Sequence, residues 1–408
     1  MAPHWADGQL EFGRWAVICP VWPLLRIDMT FAPLTLFSAL FHLYVGWRVA
    51  PALAAWPVWQ ADFVVLLVLS AAIMPMGLLA RRVRSQPASD LLSWAGLLFM
   101  GLFSSLFVLT VARDAALLAA WLLSAILPDD GAMSALTQWS GVAVPVLGLL
   151  VTLLGFVNAR RTAAVTTVDV PLRDLPAGLH GFTVAQISDI HVGPTIKAKY
   201  LHAIVKKVNA LQADMVAVTG DLVDGSVREL SQHVAPLAGL TSTYGTFFVT
   251  GNHEYYSGAD AWIAELRRLG VQVLMNEHVV LRHREAALVV AGVADWSAHH
   301  FDESHRSDPH AAMAGAPDDA PVRMLLAHQP RSAGAAAEAG FHLQLSGHTH
   351  GGQFLPWNLF VRFQQPFTAG LHRLKDLWVY TSRGTGYWGP PKRFGAPSEI
   401  THLRLVPA

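Results

Sequence analysis

A chain of 408 residues in which 53% of side chains are hydrophobic and only 14% are charged is too apolar for an ordinary soluble enzyme. Its formal net charge is zero, and no basic stretch interleaved with aromatic residues occurs, which argues against nucleic acid as a partner. The single cysteine, Cys19, excludes an intramolecular disulfide.

Most of the apolar excess lies before about residue 160. Residues 1–28 lack the basic, apolar and small-residue pattern of a cleaved secretory signal. Four stretches then reach the length of about 20 residues needed to cross a bilayer: Met29 to Val49, Ala61 to Ala80, Leu91 to Ala112 and Trp139 to Ala159. Pro33, Pro75 and Pro145 fall inside three of them, which membrane helices tolerate. A shorter run, Ala115 to Leu127, follows Arg113 and Asp114 and reads as an interfacial helix or an extension of the third span.

Basic residues set the expected orientation. Arg81, Arg82 and Arg84 follow the second span and Arg160 and Arg161 the fourth, while Asp129 and Asp130 end the loop between the third and fourth. Basic clusters beside spans favour the cytoplasmic side. Two crossings separate the clusters, so both can lie there, with Arg14 and Arg26 of the N-terminus and the whole C-terminal region. The expected division is a membrane region over 1–162 and a second domain over 163–408, in a bacterial inner membrane with that domain in the cytoplasm.

After Arg161 short β-rich runs alternate with amphipathic ones. FTVAQISD (182–189) reads as a strand, and KAKYLHAIVKKVNAL places Leu201, Ile204, Val205, Val208 and Leu211 at helical spacing. DMVAVTGD and TFFVTGNHE are further strands, AWIAELRRLG a further helix. VQVLM, ALVVAGVAD, VRMLLAHQ, FHLQLSGHTH and LWVYTSRG follow, all strand-like. This order predicts an α/β sandwich with mixed sheets.

Polar residues collect where these strands end: Asp189 and His191, Asp221, Asn252 and His253, His328, then His348 and His350. Ligands of α/β sheets gather at the carboxyl ends of strands, so separate strand ends aim these groups at one place. Carboxylate and imidazole suit Zn, Mn or Fe, and no cysteine is near. The set is too large for one tetrahedral ion and fits two if a carboxylate bridges, a pairing used in phosphoester hydrolysis.

The motifs SDIHVG, TGDLVDG, TGNHEYY, AHQP and SGHTHGG, in this order, resemble those of calcineurin-like metallophosphoesterases, over about residues 180–406. SGHTHGGQ is similar to the branch with YkuE-type bacterial phosphoesterases and UDP-2,3-diacylglucosamine hydrolases. The apolar N-terminal region looks most like the transmembrane proteins with a metallophosphoesterase domain. The resemblance implies a four-layer α/β/β/α sandwich and two divalent ions (Mn, Zn or Fe). Asp189, His191 and His350 would hold one ion, Asn252, His328 and His348 the other, and Asp221 would bridge. His253 would contact the phosphate and protonate the leaving oxygen, with Glu254 or a nearby acid orienting it. Asp224 stays outside the ligand set. The implied reaction is attack on phosphorus by a metal-activated hydroxide in a phosphodiester or pyrophosphate, lipid-linked or not.

Other residues divide between functional and structural readings. Asp224, Glu254, His202 and His233 are read as structural, and His299, His300 and His305 as a solvated loop beside the site. Phe354, Leu355, Trp357, Leu359, Phe360, Phe363 and Phe367 either meet lipid or pack inward. Arg362, Arg373 and Arg383 either face phosphate or lie on the surface. Two alternative functions stand beside the phosphoesterase: a UDP-2,3-diacylglucosamine-type hydrolase, and a non-catalytic metal-binding scaffold or sensor. Against the scaffold, the spans carry almost no charge of the kind that marks a transport pathway. A phosphoester substrate and membrane lipids are the expected partners.

Overall fold

A computed structural model describes residues 28–80, 83, 85–124, 126, 131–317 and 319–408. Arg14, Cys19, Arg26, the Arg81, Arg82 and Arg84 cluster, and the Asp129–Asp130 pair lie outside the described residues.

Among the described residues, four helices are long and apolar enough to cross a membrane. They are α1 (Asp28–Val49), α2 (Pro57–Leu78), α3 (Gln86–Ser124) and α4 (Ala132–Arg160). At 39 residues, α3 is about 58 Å long and exceeds the ~30 Å hydrocarbon core. The run beginning at Ala115 thus extends the third span and makes no crossing of its own. Arg113 and Asp114 do not interrupt the helix because its neighbours satisfy them. The Arg113 guanidinium donates to Arg48 O, Thr137 O and Ser140 Oγ, while Asp114 accepts from Arg48 Nε at 2.9 Å and Tyr44 OH at 2.7 Å.

Small residues let these helices approach closely. A Cβ on Gly77 would lie 2.5 Å from the Gly96 Cα, so α2 and α3 touch backbone to backbone there.

The remainder forms two six-stranded mixed sheets. In chain order the strands are β1 (Ala164–Leu172), β2 (Thr183–Ile187), β3 (Met215–Val218), β4 (Thr246–Phe248), β5 (Gln272–Val273), β6 (Glu277–His283), β7 (Ala286–Gly292), β8 (Val322–Leu326), β9 (Leu343–Ser346), β10 (Gly370–Leu374), β11 (Leu377–Thr381) and β12 (Glu399–Pro407). The first sheet runs β1-β12-β2-β3-β4-β5 and the second β10-β11-β9-β8-β7-β6. Within them β2, β3 and β4 are parallel neighbours, as are β7, β8 and β9.

Three apolar clusters define the layers. Val184, Met215 and Phe247 of the first sheet pack with Leu288, Met324 and Leu343 of the second. The other face of the first sheet is covered by α5 (Ala198–Asn209), α6 (Val227–Val234) and α8 (Ala259–Arg268), which follows the short α7 (Asn252–Ser257). Leu201, Ile204, Val205 and Val208 of α5 are buried there, as their spacing predicts. The outer face of the second sheet is covered by α9 (Pro309–Met313) and α10 (Ala333–Glu338). A last helix, α11 (Trp357–Gln364), buries none of its residues.

Substituting Gly96→Val should push α2 from α3 and cost about 1–3 kcal/mol, as overpacking does. Melting in detergent should fall accordingly, whereas Gly334→Ala, on α10 with open space around its Cβ, should melt at or slightly above the parent temperature.

Candidate metal centre

Each motif residue follows the end of a parallel strand. Asp189 and His191 come after β2, Asp221 after β3, and Asn252 and His253 open α7 after β4. His328 follows β8, and His348 and His350 follow β9. Because the two sheets pack face to face, their strand ends meet along one edge.

The chain pins these ends by extending the strand pairing beyond the strands. Asp189 N donates to Gly220 O, His191 N to Asp221 O, Val192 N to Leu222 O and Asp224 N to Val192 O. This zippering holds an uncommon backbone. Asp189, His191, Asp221, His348 and His350 all have φ between 51° and 70°, a left-handed conformation that such residues rarely take. Backbone strain of this kind gathers at functional sites.

Two glycines permit the closest approaches. A Cβ on Gly347 would strike the Asp189 carboxylate and Ser188 Oγ, and one on Gly251 would strike the Asp221 carboxylate. Their absence lets His348 N donate to Asp189 Oδ1 at 2.9 Å and places Asp221 under α7, where His253 N donates to its Oδ1 at 2.9 Å.

Three groups of potential ligand atoms result: Asp189, His191 and His350; Asp221, His328 and His348; and His191, Asp221 and His253. Within the first, His191 Nε2 lies 3.0 Å from His350 Nε2, which lies 3.5 Å from Asp189 Oδ1. Within the second, His328 Nε2 lies 3.2 Å from both His348 Nδ1 and Asp221 Oδ2. Ligand atoms on a tetrahedral ion with bonds of about 2.0–2.1 Å sit about 3.3 Å apart, so these spacings fit cations.

Asn252 supplies independent support. Its Oδ1 is buried without any hydrogen-bond partner, an arrangement that is costly unless a cation takes the lone pairs. The residues therefore fit two ions, and Asp221 of one group reaches the other through His191, whose Nε2 lies 3.9 Å from Asp221 Oδ2.

The electrostatics agree. Burial raises the Asp189 carboxyl above its ordinary range, and neighbouring Asp221 adds to the effect. Burial also opposes ionisation of Asp221, but His328, His253 and His191 outweigh it and hold that carboxyl well below the usual range. His348 is pushed down to about 3 by burial and then by the charge on His328. His350 falls well below its ordinary value through burial and then Arg393. Both rings are thus neutral, the form that binds metal. His328 moves the other way, because Asp221 and Asp189 overcome its burial, and its Nδ1 is held by Thr219 O at 2.7 Å. Such outer hydrogen bonds fix the orientation of a ligating ring.

The two acids beside His253 divide their tasks. Asp224 Oδ1 lies 2.5 Å from His253 Nδ1 and 3.2 Å from His191 Nδ1, so Asp224 is the acid that orients His253. Glu254 turns away from the ring and accepts from the backbone N–H groups of Asp221, Leu222, Val223 and Gly251. Burial and Asp221 raise Glu254 to about 8. Burial lowers His253, but Asp221 and Asp224 prevail and raise it to about 9.

Other singled-out residues lie apart. His202 is exposed on α5 and His233 half-buried on α6, and neither joins a ligand group. His299 meets Trp296 O and His305 meets Tyr255 OH. Arg373 bonds Lys375 O, Arg383 pairs with Glu399 at 2.7 Å, and Arg362 is exposed on α11. Phe354 is buried and Phe367 packs against the outer face of the second sheet, whereas Leu355, Trp357, Leu359, Phe360 and Phe363 are exposed.

Arg393, which the sequence reading did not single out, touches a ligand directly. Its guanidinium lies 3.0 Å from His350 Nδ1 and donates to the carbonyls of His350, Arg383 and Gly386. No motif spacing marks it, because its partners come from separate turns.

The sequence profile described as calcineurin-like phosphoesterase matches residues 182–352. A Bos taurus protein called transmembrane protein with metallophosphoesterase domain is 42% identical over 280 residues, 65% of this chain and 63% of its own length. This chain therefore spans a little under two thirds of that relative. An uncharacterized metallophosphoesterase of Aquifex aeolicus is 31% identical over 233 residues, 57% of this chain and 87% of its own length. The uncharacterized metallophosphoesterase YkuE of Bacillus subtilis is 28% identical over 248 residues, covering 57% of this chain and 81% of its own. With strand-end carboxylates and imidazoles grouped around Asp221, and with these similarities, the chain belongs to the calcineurin-like metallophosphoesterases.

Proposed function

We propose that the chain is an integral membrane phosphoesterase that hydrolyses a phosphodiester or pyrophosphate bond at a dimetal centre. The observation that carries this reading is the adjacency of two ligand groups, linked through His191 and Asp221, with the His253–Asp224 pair beside them. Asp189, His191, Asp221 and His350 would hold one divalent ion, and Asp221, Asn252, His328 and His348 the second, as Mn, Zn or Fe. When bound, such ions neutralise phosphoryl charge and make water nucleophilic near neutral pH.

The chain's own residues supply the rest. Asp224 occupies His253 Nδ1, leaving Nε2 to face the site, 4.0 Å from Asp221 Oδ2. From there Nε2 can contact a phosphoryl oxygen and hand its proton to the leaving oxygen. Asp224 keeps the ring oriented as the proton leaves. A metal-holding scaffold would have no use for this pair, which favours catalysis.

The fourth helix ends in Arg160, and Arg161 follows, so we place the catalytic domain in the cytoplasm of a bacterial cell. An alkaline phosphatase fusion after residue 408 should be silent and a fluorescent protein fusion bright. An active phosphatase there would overturn the orientation.

Replacing Asn252 with Ala should weaken the second ion at least tenfold, read by elemental analysis after dialysis against limiting chelator, with circular dichroism unchanged. Retention of both ions would remove Asn252 from the ligand set.

Chelated full-length protein should lose hydrolysis of a chromogenic phosphodiester and regain it with Mn or Zn. His253→Ala should lower kcat by about 100- to 10,000-fold while both ions stay bound. If the metal-loaded parent is inert towards diesters, monoesters and pyrophosphates, the scaffold reading replaces this one.

A further inference from the structure

Helix α11 is anomalous for a water-facing surface. Trp357 (55% exposed), Leu359 (48%), Phe360 (51%) and Phe363 (79%) stand out from it, beside the exposed Leu355. Contiguous apolar patches of this kind mark contact with another phase or partner. An amphipathic helix carrying Trp, Phe and Leu suits a bilayer interface, and the long stem of Arg362 can reach the headgroups.

Contacts with the apolar helices indicate what covers the patch. Leu355, two residues before α11, accepts from Ser104 Oγ of α3 at 3.0 Å. The loop at 387–396 descends beside the same helix. Lys392 Nζ donates to Gly101 O at 3.0 Å and Ser105 Oγ at 2.6 Å, and Arg393 N donates to Gly155 O of α4 at 2.8 Å. Trp94 of α3 stacks on Arg160 at the end of α4. Ser105 lies eleven residues further along α3 than Trp94, which is about 16 Å of rise. The loop and the approach to α11 therefore lie beside the apolar length of α3.

The same loop borders the reacting groups. The Trp388 ring is 5.7 Å from the His253 ring, with Tyr256 at 5.2 Å on another side and Phe301 5.6 Å beyond it. Trp388, Tyr256 and Phe301 are each about half exposed. Gln353, directly after the SGHTHGG motif, holds Trp388 through both its amide groups. The mouth above His253 is thus framed by aromatic rings, and one of them sits on the loop that enters the helix bundle.

We infer that α11 and Trp388 form a rim seated in the bilayer interface, through which the metal centre takes the phosphoester of a membrane lipid headgroup. The substrate half of this inference rests on the phosphoesterase reading; the rim does not. A soluble nucleotide could stack on Trp388 but would leave the exposed apolar side chains of α11 uncovered. A lipid would keep its acyl chains in the bilayer and present its phosphorus to the rim beside His253.

Full-length protein with Cys19→Ser, reconstituted in phosphatidylcholine bilayers, can carry a spin label at Phe360, Phe363 or Trp388, with Lys375 as an aqueous control. Labels on the rim should collide with oxygen more often than with a water-soluble nickel chelate, and the Lys375 label the reverse. Nickel access at the rim equal to that at Lys375 overturns the inference, as does exclusion of both reagents, which means protein covers the rim.

Substrate is tested with one chromophore on two carriers: hexadecyl p-nitrophenyl phosphate in the vesicles and ethyl p-nitrophenyl phosphate in water. The hexadecyl diester should be turned over at least about tenfold more efficiently, and Phe360→Asp with Phe363→Asp should remove that advantage. Equal efficiency in the parent overturns the lipid assignment. Hydrolysis of neither diester, with monoesters and pyrophosphates also left intact, sinks the phosphoesterase reading instead, while the spin labels still decide the rim.

Discussion

Acidic groups sealed from water are the constraint on which the rest of the metallophosphoesterase domain depends. Asp189, Asp221, Glu254 and Asp295 are all buried within the strand-end region. An isolated carboxylate in such surroundings costs several kcal/mol even after relaxation. Protein groups meet each of them. Glu254 collects four backbone N–H groups, Asp295 takes Gln329 and Ser297, and Asp221 lies among imidazoles. Asp189 accepts from His348 N and from Ser188 and lies 3.5 Å from His350 Nε2, yet burial, with Asp221 adding to it, still raises its carboxyl. A charge deficit remains, and it lies where neutral imidazoles and the orphaned Asn252 Oδ1 converge. Divalent cations are the compensation that fits that donor set.

The same deficit explains why the backbone tolerates its strain. Five of the proposed ligands occupy left-handed conformations, each costing on the order of 1–3 kcal/mol. The bonds from the turn after β2 to the turn after β3 offset part of this, and Trp262 Nε1 pins the loop beyond Asp224 through Gly225 O at 2.9 Å. The conformation aims successive side chains at one point, which regular strand geometry would send to opposite faces. His348 and His350 show the converse. Residues two apart would share a face in a strand, but their turn directs one ring towards His328 and the other towards His191.

The placement of polar residues at strand ends was legible because hydrophobic runs and terminal Asp, Asn and His coincide along the chain. The helical face of α5 was legible for the same reason. Four features were not. Asp224 and Glu254 both lie near His253, and only the turn of α7, which points Glu254 back at the β3 end, decides which acid meets the ring. The continuation of α3 through Arg113 and Asp114 depends on Tyr44, Arg48 and carbonyls of α4, none of which local hydropathy registers. The aromatic segment after the SGHTHGG motif admitted two readings, and it divides between them: Phe354 and Phe367 pack inward while the residues of α11 do not. The outer strands β1 and β12, paired in parallel across more than two hundred residues, carry no local signal of their partnership.

The helices and the metal site are mechanically joined. Arg393 is fully buried, and its guanidinium is satisfied by carbonyl groups on three turns as well as by the His350 ring. Burial lowers it only to about 10, so it keeps its charge and all its donors at neutral pH. One residue away, Lys392 is held by α3, and the Arg393 backbone is held by α4 through Gly155, where a side chain would collide with the Lys392 stem. Any displacement of α4 relative to the sandwich must therefore pull on the residue that orients His350. The helices are thus bonded to the loop that carries Arg393, and through its guanidinium to the His350 ring.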